Sequence, residues 1–248
     1  MARICDSSQL ADAQKTIANS LEGLVVETKI QWALANRWVQ VSFSGEDEGI
    51  ASNYAAKEIG FTPNCFEEVK RFTTQKGYVV NLEKNKEELH LDMGIFQPNI
   101  VYVTVPLRHL QAQLVDGRKI ALKKIVELYG FCEDSPLNVK IVRLDLEAKV
   151  MEAELSAEQV GKYASWQESL LDRLIVIGSS LNDVKRILNR NGLWRDVINI
   201  ETLGMFEHVL TCKLGTDAAG LIPKIGRYLK TAKFAVFNPK RLREFLEV

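Results

Sequence analysis

Five strand-like runs lie between residues 77 and 156: GYVVNLE (77–83), EELHLDMG (87–94), NIVYVTVP (99–106), PLNVKIVR (136–143) and KVMEAELS (149–156). One helical stretch, RKIALKKIVELYG (118–130), separates the third run from the fourth. Three strands, a helix and two more strands is the order of an OB-type barrel, a fold often used to hold single-stranded nucleic acid or oligosaccharide. The sequence therefore predicts an OB-like five-stranded β-barrel in the middle of the chain.

The C-terminal flank predicts a ferredoxin-like α+β unit. Strands and helices follow in the order β-α-β-β-α-β over the runs 171–178, 179–192, 195–204, 205–214, 215–230 and 233–238. A helix at 157–170 comes before them, and a short helix at 239–248, with Pro239 near its start, comes after them.

The N-terminal flank predicts a related but incomplete unit. A strand in ARIC (2–5), a helix at 7–21, strands at 24–32 and 37–44 and a helix at 45–60 give β-α-β-β-α, which is one strand short of the ferredoxin-like order. A short amphipathic helix, FEEVKRF (66–72), connects this unit to the barrel. We therefore expect an α+β protein of three units, with bounds at 1–62, 63–156 and 157–248.

The composition is that of a globular protein, with 46% hydrophobic and 26% charged residues. Apolar runs stay well short of the ~20 residues that a membrane span needs, and the N-terminus MARICDSSQL lacks a signal-peptide apolar core. We therefore expect a cytoplasmic protein that makes no membrane contact.

Metal and cofactor binding are not expected. Cys5, Cys65, Cys132 and Cys212 are far apart, without a C-x-x-C pair, which favours reduced thiols over a zinc or redox motif. The acidic triplet at 46–48 resembles a ligand cluster, but acids in a first helical turn are favoured by the helix dipole alone.

The outer face of the predicted barrel offers candidate RNA contacts. Alternation places Leu89 and Leu91 on one face of the second strand and His90 on the other, and the third strand turns Tyr102 and Thr104 outward. An aromatic ring among cations suits single-strand binding, because the ring stacks a base and the cations contact its backbone. The predicted nucleic-acid contacts here are Lys84, Lys86, His90, Tyr102, Arg108 and Lys140. The alternative is a half-exposed sheet whose tyrosine packs on a neighbouring unit.

A second candidate lies in GTDAAGLIPKIGR (215–227). Gly215 and Thr216 precede a helix that carries Lys224 and Arg227, so backbone N–H groups and two cations could hold a phosphate. Pro223 and Gly226 suggest that this helix begins near Pro223. Residues 172–248 hold 13 basic and 8 acidic side chains, so Lys224, Arg227, Lys230 and Lys233 are further candidate phosphate contacts. The alternative is an ordinary helix cap with solvent-facing cations.

No catalytic arrangement is evident in the sequence. His208 and Cys212 are four residues apart in a predicted strand, which puts them about 13 Å apart and prevents a thiolate–imidazole pair. The sequence therefore favours a protein without catalytic activity.

Three stretches resemble an archaeal protein family of unknown function: RWVQVSFSGEDE (37–48), LVDGRKIALKKI (114–125) and GMFEHVLTCKLGTDAAGLIPKIGRYLK (204–230). The resemblance covers essentially the whole chain. It implies an archaeal, cytoplasmic protein and transfers no catalytic residues.

The leading hypothesis is single-stranded RNA binding, with RNA or a ribonucleoprotein as the partner, in translation or RNA metabolism. The alternative is a protein-interaction or assembly module that docks partners on its sheet faces and edge strands. The neutral net charge favours this alternative, because many autonomous RNA binders are basic. A third class is a metabolite-binding regulator that uses the 215–227 loop.

Overall fold

The computed structural model describes residues 4, 8–32, 37–58, 62–63, 65–96 and 99–247. The N-terminal unit contains helix α1 (Ser8–Ser20), strands β1 (Glu27–Trp32) and β2 (Val39–Ser44), and helix α2 (Glu48–Glu58). β1 and β2 pair antiparallel in a two-stranded sheet. The predicted strand at 2–5 lies outside the described residues except for Ile4, whose N–H donates to the Arg37 carbonyl at 2.9 Å.

The middle of the chain forms the predicted barrel. Its strands are β3 (Thr74–Val80), β4 (Glu88–Asp92), β5 (Tyr102–Pro106), β6 (Pro136–Asp145) and β7 (Val150–Leu155). They close in the order β3-β4-β5-β7-β6, with β5 and β7 parallel. Leu89, Leu91, Val103 and Val105 are buried inside, because alternation turns every second side chain inward. The OB-like prediction is confirmed.

Two helices, not one, fill the connection between β5 and β6. Helix α3 (Leu107–Leu114) follows β5 directly. Helix α4 (Leu122–Tyr129) lies within the single helix predicted at 118–130 but begins at Leu122 and not at residue 118. Leu110 and Leu114 are buried, so α3 turns an apolar stripe to the core. Arg118 lies between the helices, and its guanidinium donates to the carbonyls of Phe245 and Leu246.

The connector before the barrel also differs from its prediction. The helix expected at 66–72 is only a 3-10 turn, Phe66–Glu68. The chain then turns, with Phe72 at a φ of 66°, and β3 begins at Thr74, three residues earlier than expected. The first residues of β3 are polar, so the alternation of apolar residues does not show where this strand begins.

The C-terminal unit is ferredoxin-like. Helix α5 (Ala157–Glu168) leads into strand β8 (Arg173–Ile177), helix α6 (Leu181–Arg190), strands β9 (Val197–Thr202) and β10 (Glu207–Cys212), helix α7 (Ala218–Gly226), strand β11 (Lys233–Phe237) and helix α8 (Pro239–Glu247). The antiparallel sheet has the order β11-β8-β10-β9, in which β8 lies between β10 and β11. The predicted β-α-β-β-α-β unit is therefore confirmed.

Helix α7 begins earlier than predicted. It starts at Ala218 and runs through Pro223, because Asp217 caps it by accepting from the N–H groups of Ala219 and Gly220. The expectation of a start near Pro223 was wrong.

The three units pack against one another. One apolar core spans the barrel and the C-terminal sheet, with Tyr129, Tyr163 and Phe237 in contact. The loop between β9 and β10 reaches both other units. Leu203 accepts a 2.7 Å hydrogen bond from Lys76 Nζ of β3, and Phe206 is buried in the N-terminal unit beside Ala13. The loop therefore covers the outer face of the barrel at β3. The bounds 1–62, 63–156 and 157–248 stay a prediction.

Candidate nucleic-acid interface

The outer face of β4 and β5 carries two aromatic rings side by side. His90 pairs with Thr104 and Asp92 with Tyr102 in the antiparallel register, so His90 and Tyr102 are diagonal neighbours. Their ring centroids are 6.4 Å apart, with an interplanar angle of 28°. Both side chains are half-buried, while Leu91 and Val103 point inward. Together they form an aromatic platform that we call the β4–β5 platform (His90 and Tyr102).

Two neighbours fix the orientation of His90. Its Nε2 lies 2.7 Å from Glu88 Oε1, and its Nδ1 lies 3.0 Å from Asn85 Nδ2. Both contacts are satisfied when Nε2–H donates to Glu88 and Nδ1 accepts from Asn85. Asn85 Nδ2 also lies 3.3 Å from Nε2, so both neighbours hold the ring, and 19% of the His90 side chain is exposed. Asn85 and Glu88 were not predicted as site residues.

Lys84 and Lys86 lie in the loop between β3 and β4, next to the platform. Both side chains are exposed, and within the described residues neither ammonium lies in an ion pair. Glu83 and Glu87 are exposed in the same loop, so its charges are balanced in sum. The two lysines can therefore reach a phosphate, but the loop does not create a strong positive field.

On the other side of the platform, cations are paired with acids of β7. Arg108 forms an ion pair with Glu152, and His109 Nε2 lies 3.4 Å from the same carboxylate. Lys140 Nζ lies 3.9 Å from Glu154. Arg108 and Lys140, both predicted as contacts, thus already have acidic partners, which a bound phosphate would have to displace.

The N-terminal unit covers the far end of the same face. Trp38 is buried and donates its indole N–H to Asp92 Oδ1 at 3.1 Å. Its ring meets Tyr78 of β3 edge-on, with centroids 5.4 Å apart. The sequence left open whether this face is free. The structure covers it at Asp92 and leaves it accessible at His90 and Tyr102.

Three of the four predicted C-terminal cations already make contacts within the protein. Lys233 binds the buried Asp134 of the barrel at 2.6 Å, and Lys224 lies 3.5 Å from Asp196. Arg227 stacks over Tyr228 at 5.2 Å, and Lys230 is exposed. Lys224 and Lys233 thus have acidic partners, and Lys224 lies next to Arg227, whose Nε donates to the Lys224 carbonyl at 3.4 Å.

The predicted anion site at Gly215 and Thr216 has carboxylates at its helix start. Asp217 accepts from two N–H groups of the first turn of α7, and Asp172 Oδ2 lies 3.3 Å from the Ala218 N–H, which donates to it. Since these donors already have anionic acceptors, a phosphate would meet like charge there.

The side chains considered for nucleophilic catalysis are buried. His208 Nε2 lies 3.0 Å from the Ser179 carbonyl, and burial lowers the pKa of His208 to about 4. Burial also raises the pKa of the Cys212 thiol to about 12. Neither group is in the ionised state that a thiolate–imidazolium pair needs. In the part of the chain that the structure describes, no three His, Cys, Asp or Glu side chains are grouped so as to hold a metal.

Among the helices described, none is both long and apolar enough to cross a membrane.

Comparison with known proteins identifies two family matches. Residues 5–64 match the DUF2110 N-terminal domain, and residues 171–237 match the DUF2110 C-terminal domain. Together these matches cover half of the chain. No curated protein is detectably similar in sequence.

Solved structures resemble the chain only distantly. An uncharacterised protein of Methanocaldococcus jannaschii is 12% identical over 36% of this chain and 96% of its own, with a TM-score of 0.26. The intact alpha subunit of aIF2 from Pyrococcus abyssi is 10% identical over 69% of this chain and 97% of its own, with a TM-score of 0.28. The complex of a/eIF2alpha, aDim2p and rRNA from Pyrococcus horikoshii is 9% identical over 52% and 70%, also with a TM-score of 0.28. With TM-scores this low, these likenesses carry no argument.

Proposed function

The chain belongs to the DUF2110 family, and we propose that it binds single-stranded RNA on the outer face of its barrel, at the β4–β5 platform. The observation that carries the proposal is the pair of half-buried rings, His90 and Tyr102, whose centroids are 6.4 Å apart. Base stacking on an aromatic side chain contributes about 1–3 kcal/mol per base and does not depend on the base. A face of two rings therefore suits two successive unpaired bases.

The charges around the platform set how strong such binding is. Lys84 and Lys86 are exposed and form no ion pair within the described residues, so they are the cations free to meet a phosphate. Arg108 is held by Glu152 on the opposite side. We therefore expect stacking to supply most of the affinity and only one or two phosphate contacts to add salt dependence.

The test is the affinity for mixed-sequence single-stranded RNA at several salt concentrations. Tyr102→Ala should weaken binding about 5- to 100-fold, while Tyr102→Phe should keep it, because stacking needs the ring and not the hydroxyl. Lys84→Glu with Lys86→Glu should weaken binding and flatten the salt dependence. Lys224→Glu and Arg227→Glu, which lie in the C-terminal unit, serve as comparison variants. If wild type and Tyr102→Ala bind RNA with equal affinity, the proposal is wrong.

A second candidate function, docking of a protein partner, rests on a different observation. β9 lies at the edge of the C-terminal sheet, and in the described part of the chain no strand pairs with its outer side. Ile198 on this strand is 52% exposed, and Leu214, just after the neighbouring strand β10, is 77% exposed. An exposed apolar edge strand is a template for a strand from another chain. Ile198→Lys should abolish such docking and leave RNA affinity unchanged, which separates the two functions.

A further inference from the structure

Phe72 presents a large apolar ring to solvent from a strained backbone. The side chain is 64% exposed, and its φ of 66° lies in the left-handed region that glycine enters without steric cost. A phenylalanine contributes little packing when so exposed, so neither the core nor the turn requires it. Backbone strain combined with an exposed ring points to a binding role.

The position of this ring is fixed by the barrel. The Phe72 N–H donates to the Ile141 carbonyl at 2.8 Å, and the Ile141 N–H donates to Thr73 at 3.0 Å, so the turn continues the pairing of β3 with β6. Arg71 Nη2 donates to the Val142 carbonyl at 3.2 Å. The backbone that carries the ring is therefore held in place by the barrel.

Two cations lie over the ring. The Arg71 guanidinium carbon is 5.0 Å from the ring centroid, and Lys140 Nζ is 5.9 Å from it. Lys140 also lies 3.9 Å from Glu154, but within the described residues Arg71 has no carboxylate within 4.0 Å. Arg143 on β6 is exposed as well. An aromatic face with adjacent cations can stack a base and hold its phosphates.

We propose that Phe72, with Arg71 and Lys140, forms a second stacking site for the same single-stranded RNA that binds the β4–β5 platform. The inference rests on the proposed function and extends it to a longer strand. The barrel order β5-β7-β6-β3 places β7 and β6 between the two sites. The shorter way, across β3, is covered at Lys76 by Leu203 and at Asp92 by Trp38. The bound RNA therefore crosses β7, where Glu152 and Glu154 are already paired with cations.

The experiment compares RNA length and side-chain identity in the full-length protein. Mixed-sequence RNA of about 4 nucleotides should occupy one site, and RNA of about 16 nucleotides should reach both. Phe72→Gly should weaken binding of the longer RNA about 5- to 100-fold and leave the shorter RNA unaffected, since the platform binds it alone. Phe72→Trp keeps a ring and should keep the affinity. Glycine adopts this left-handed backbone conformation without strain, so the melting temperature of Phe72→Gly should be no lower than that of wild type. Leu214→Ala, which removes another exposed apolar side chain, serves as the control and should change nothing.

Photocrosslinking with 4-thiouridine RNA of the same two lengths separates the possible results. Crosslinks at both Phe72 and Tyr102 with the longer RNA support the second site. Crosslinks at Tyr102 alone, with full affinity in Phe72→Gly, overturn the second site and leave the proposed function intact. Crosslinks at Phe72 alone, with full affinity in Tyr102→Ala, overturn the platform and support Phe72 as an RNA site. No salt-sensitive binding at either length overturns both.

Discussion

The indole N–H of Trp38 donates to the Asp92 carboxylate at 3.1 Å, and both side chains are buried. This bond joins the N-terminal unit to the outer face of barrel strand β4. Asp92 Oδ1 also accepts from the Gly94 N–H at 2.9 Å. One oxygen therefore binds both the backbone after β4 and the indole of the N-terminal unit. The open part of the face is therefore limited to the end that carries His90 and Tyr102.

Replacing Trp38 by phenylalanine should destabilise the protein measurably. The apolar ring is kept, but Asp92 loses a buried donor, which costs about 1–3 kcal/mol. Trp194→Phe is the matched control, because Trp194 donates to Asn189 at 2.6 Å in an exposed position and its loss should cost less. Urea unfolding of both variants gives the comparison, and equal free energies of unfolding would contradict the role of Trp38.

Two glycines with similar backbones should respond differently to alanine. Gly94 has a φ of 82°, and a Cβ there would lie 2.5 Å from Thr62 Oγ1 and 3.3 Å from Trp38 Cε2. Gly117 has a φ of 76° and nothing within 4 Å of such a Cβ. Gly117→Ala should cost about 1 kcal/mol through the backbone alone. Gly94→Ala should cost clearly more in a thermal melt, since the Thr62 side chain must also move and the Trp38 ring lies close behind it. Equal melting temperatures would show that this junction has room to adjust.

Stability should fall as pH rises from about 5 to 8 because of Glu207. Burial raises the pKa of this carboxyl from 4.5 to about 8, so the folded chain keeps a proton that the unfolded chain releases in this window. Burial lowers the pKa of nearby Lys76 from its ordinary value, and the effect of Lys76 on the pH dependence of stability has the opposite sign. Glu207→Gln should be more stable than wild type at pH 8, by a few kcal/mol at most, and similar to it at pH 5. Denaturant titrations at both pH values measure this, and a parallel pH dependence in the two proteins would refute it.

Asp134 should act as a buried anchor for three units. Arg37 of the N-terminal unit binds its Oδ1, and Lys233 of the C-terminal unit binds its Oδ2 at 2.6 Å. Replacing both cations by methionine leaves a buried carboxylate without them, which should cost on the order of 3–5 kcal/mol. Adding Asp134→Asn should recover part of the loss. Two results would contradict this role of Asp134. One is a cation variant with the same free energy of unfolding in urea as wild type, and the other is a further loss of stability when Asp134→Asn is added.

The barrel was predictable because its signal is local. Leu89, Leu91 and Val103 alternate with polar residues along single strands, and each is buried as expected. Helix α3 also has a local signal in the helical spacing of Leu107, Leu110 and Leu114, which the prediction of a single helix at 118–130 leaves out.

The candidate site was only partly predictable, because its charges are decided by long-range pairs. Lys233 and Asp134 are 99 positions apart, and Trp38 and Asp92 are 54 apart. Arg108 meets Glu152 only after β5 and β7 have paired. Phe72 was hidden in a predicted connector helix, where an apolar residue is expected to be buried. Alternation indicates which face a side chain takes, and it cannot indicate what covers that face.

The loop between β9 and β10 determines when the first unit of the chain can be completed. Met205 and Phe206 pack in the core formed by Ile4, Ala13 and Val39. During synthesis, at about 5–20 residues per second, this loop appears roughly 10–40 s after α1 has been made. The part of the N-terminal core that contains Phe206 is therefore completed only after the C-terminal hairpin has been made, whereas α1 can already pack on α2 through Ile17, Leu21 and Ala51.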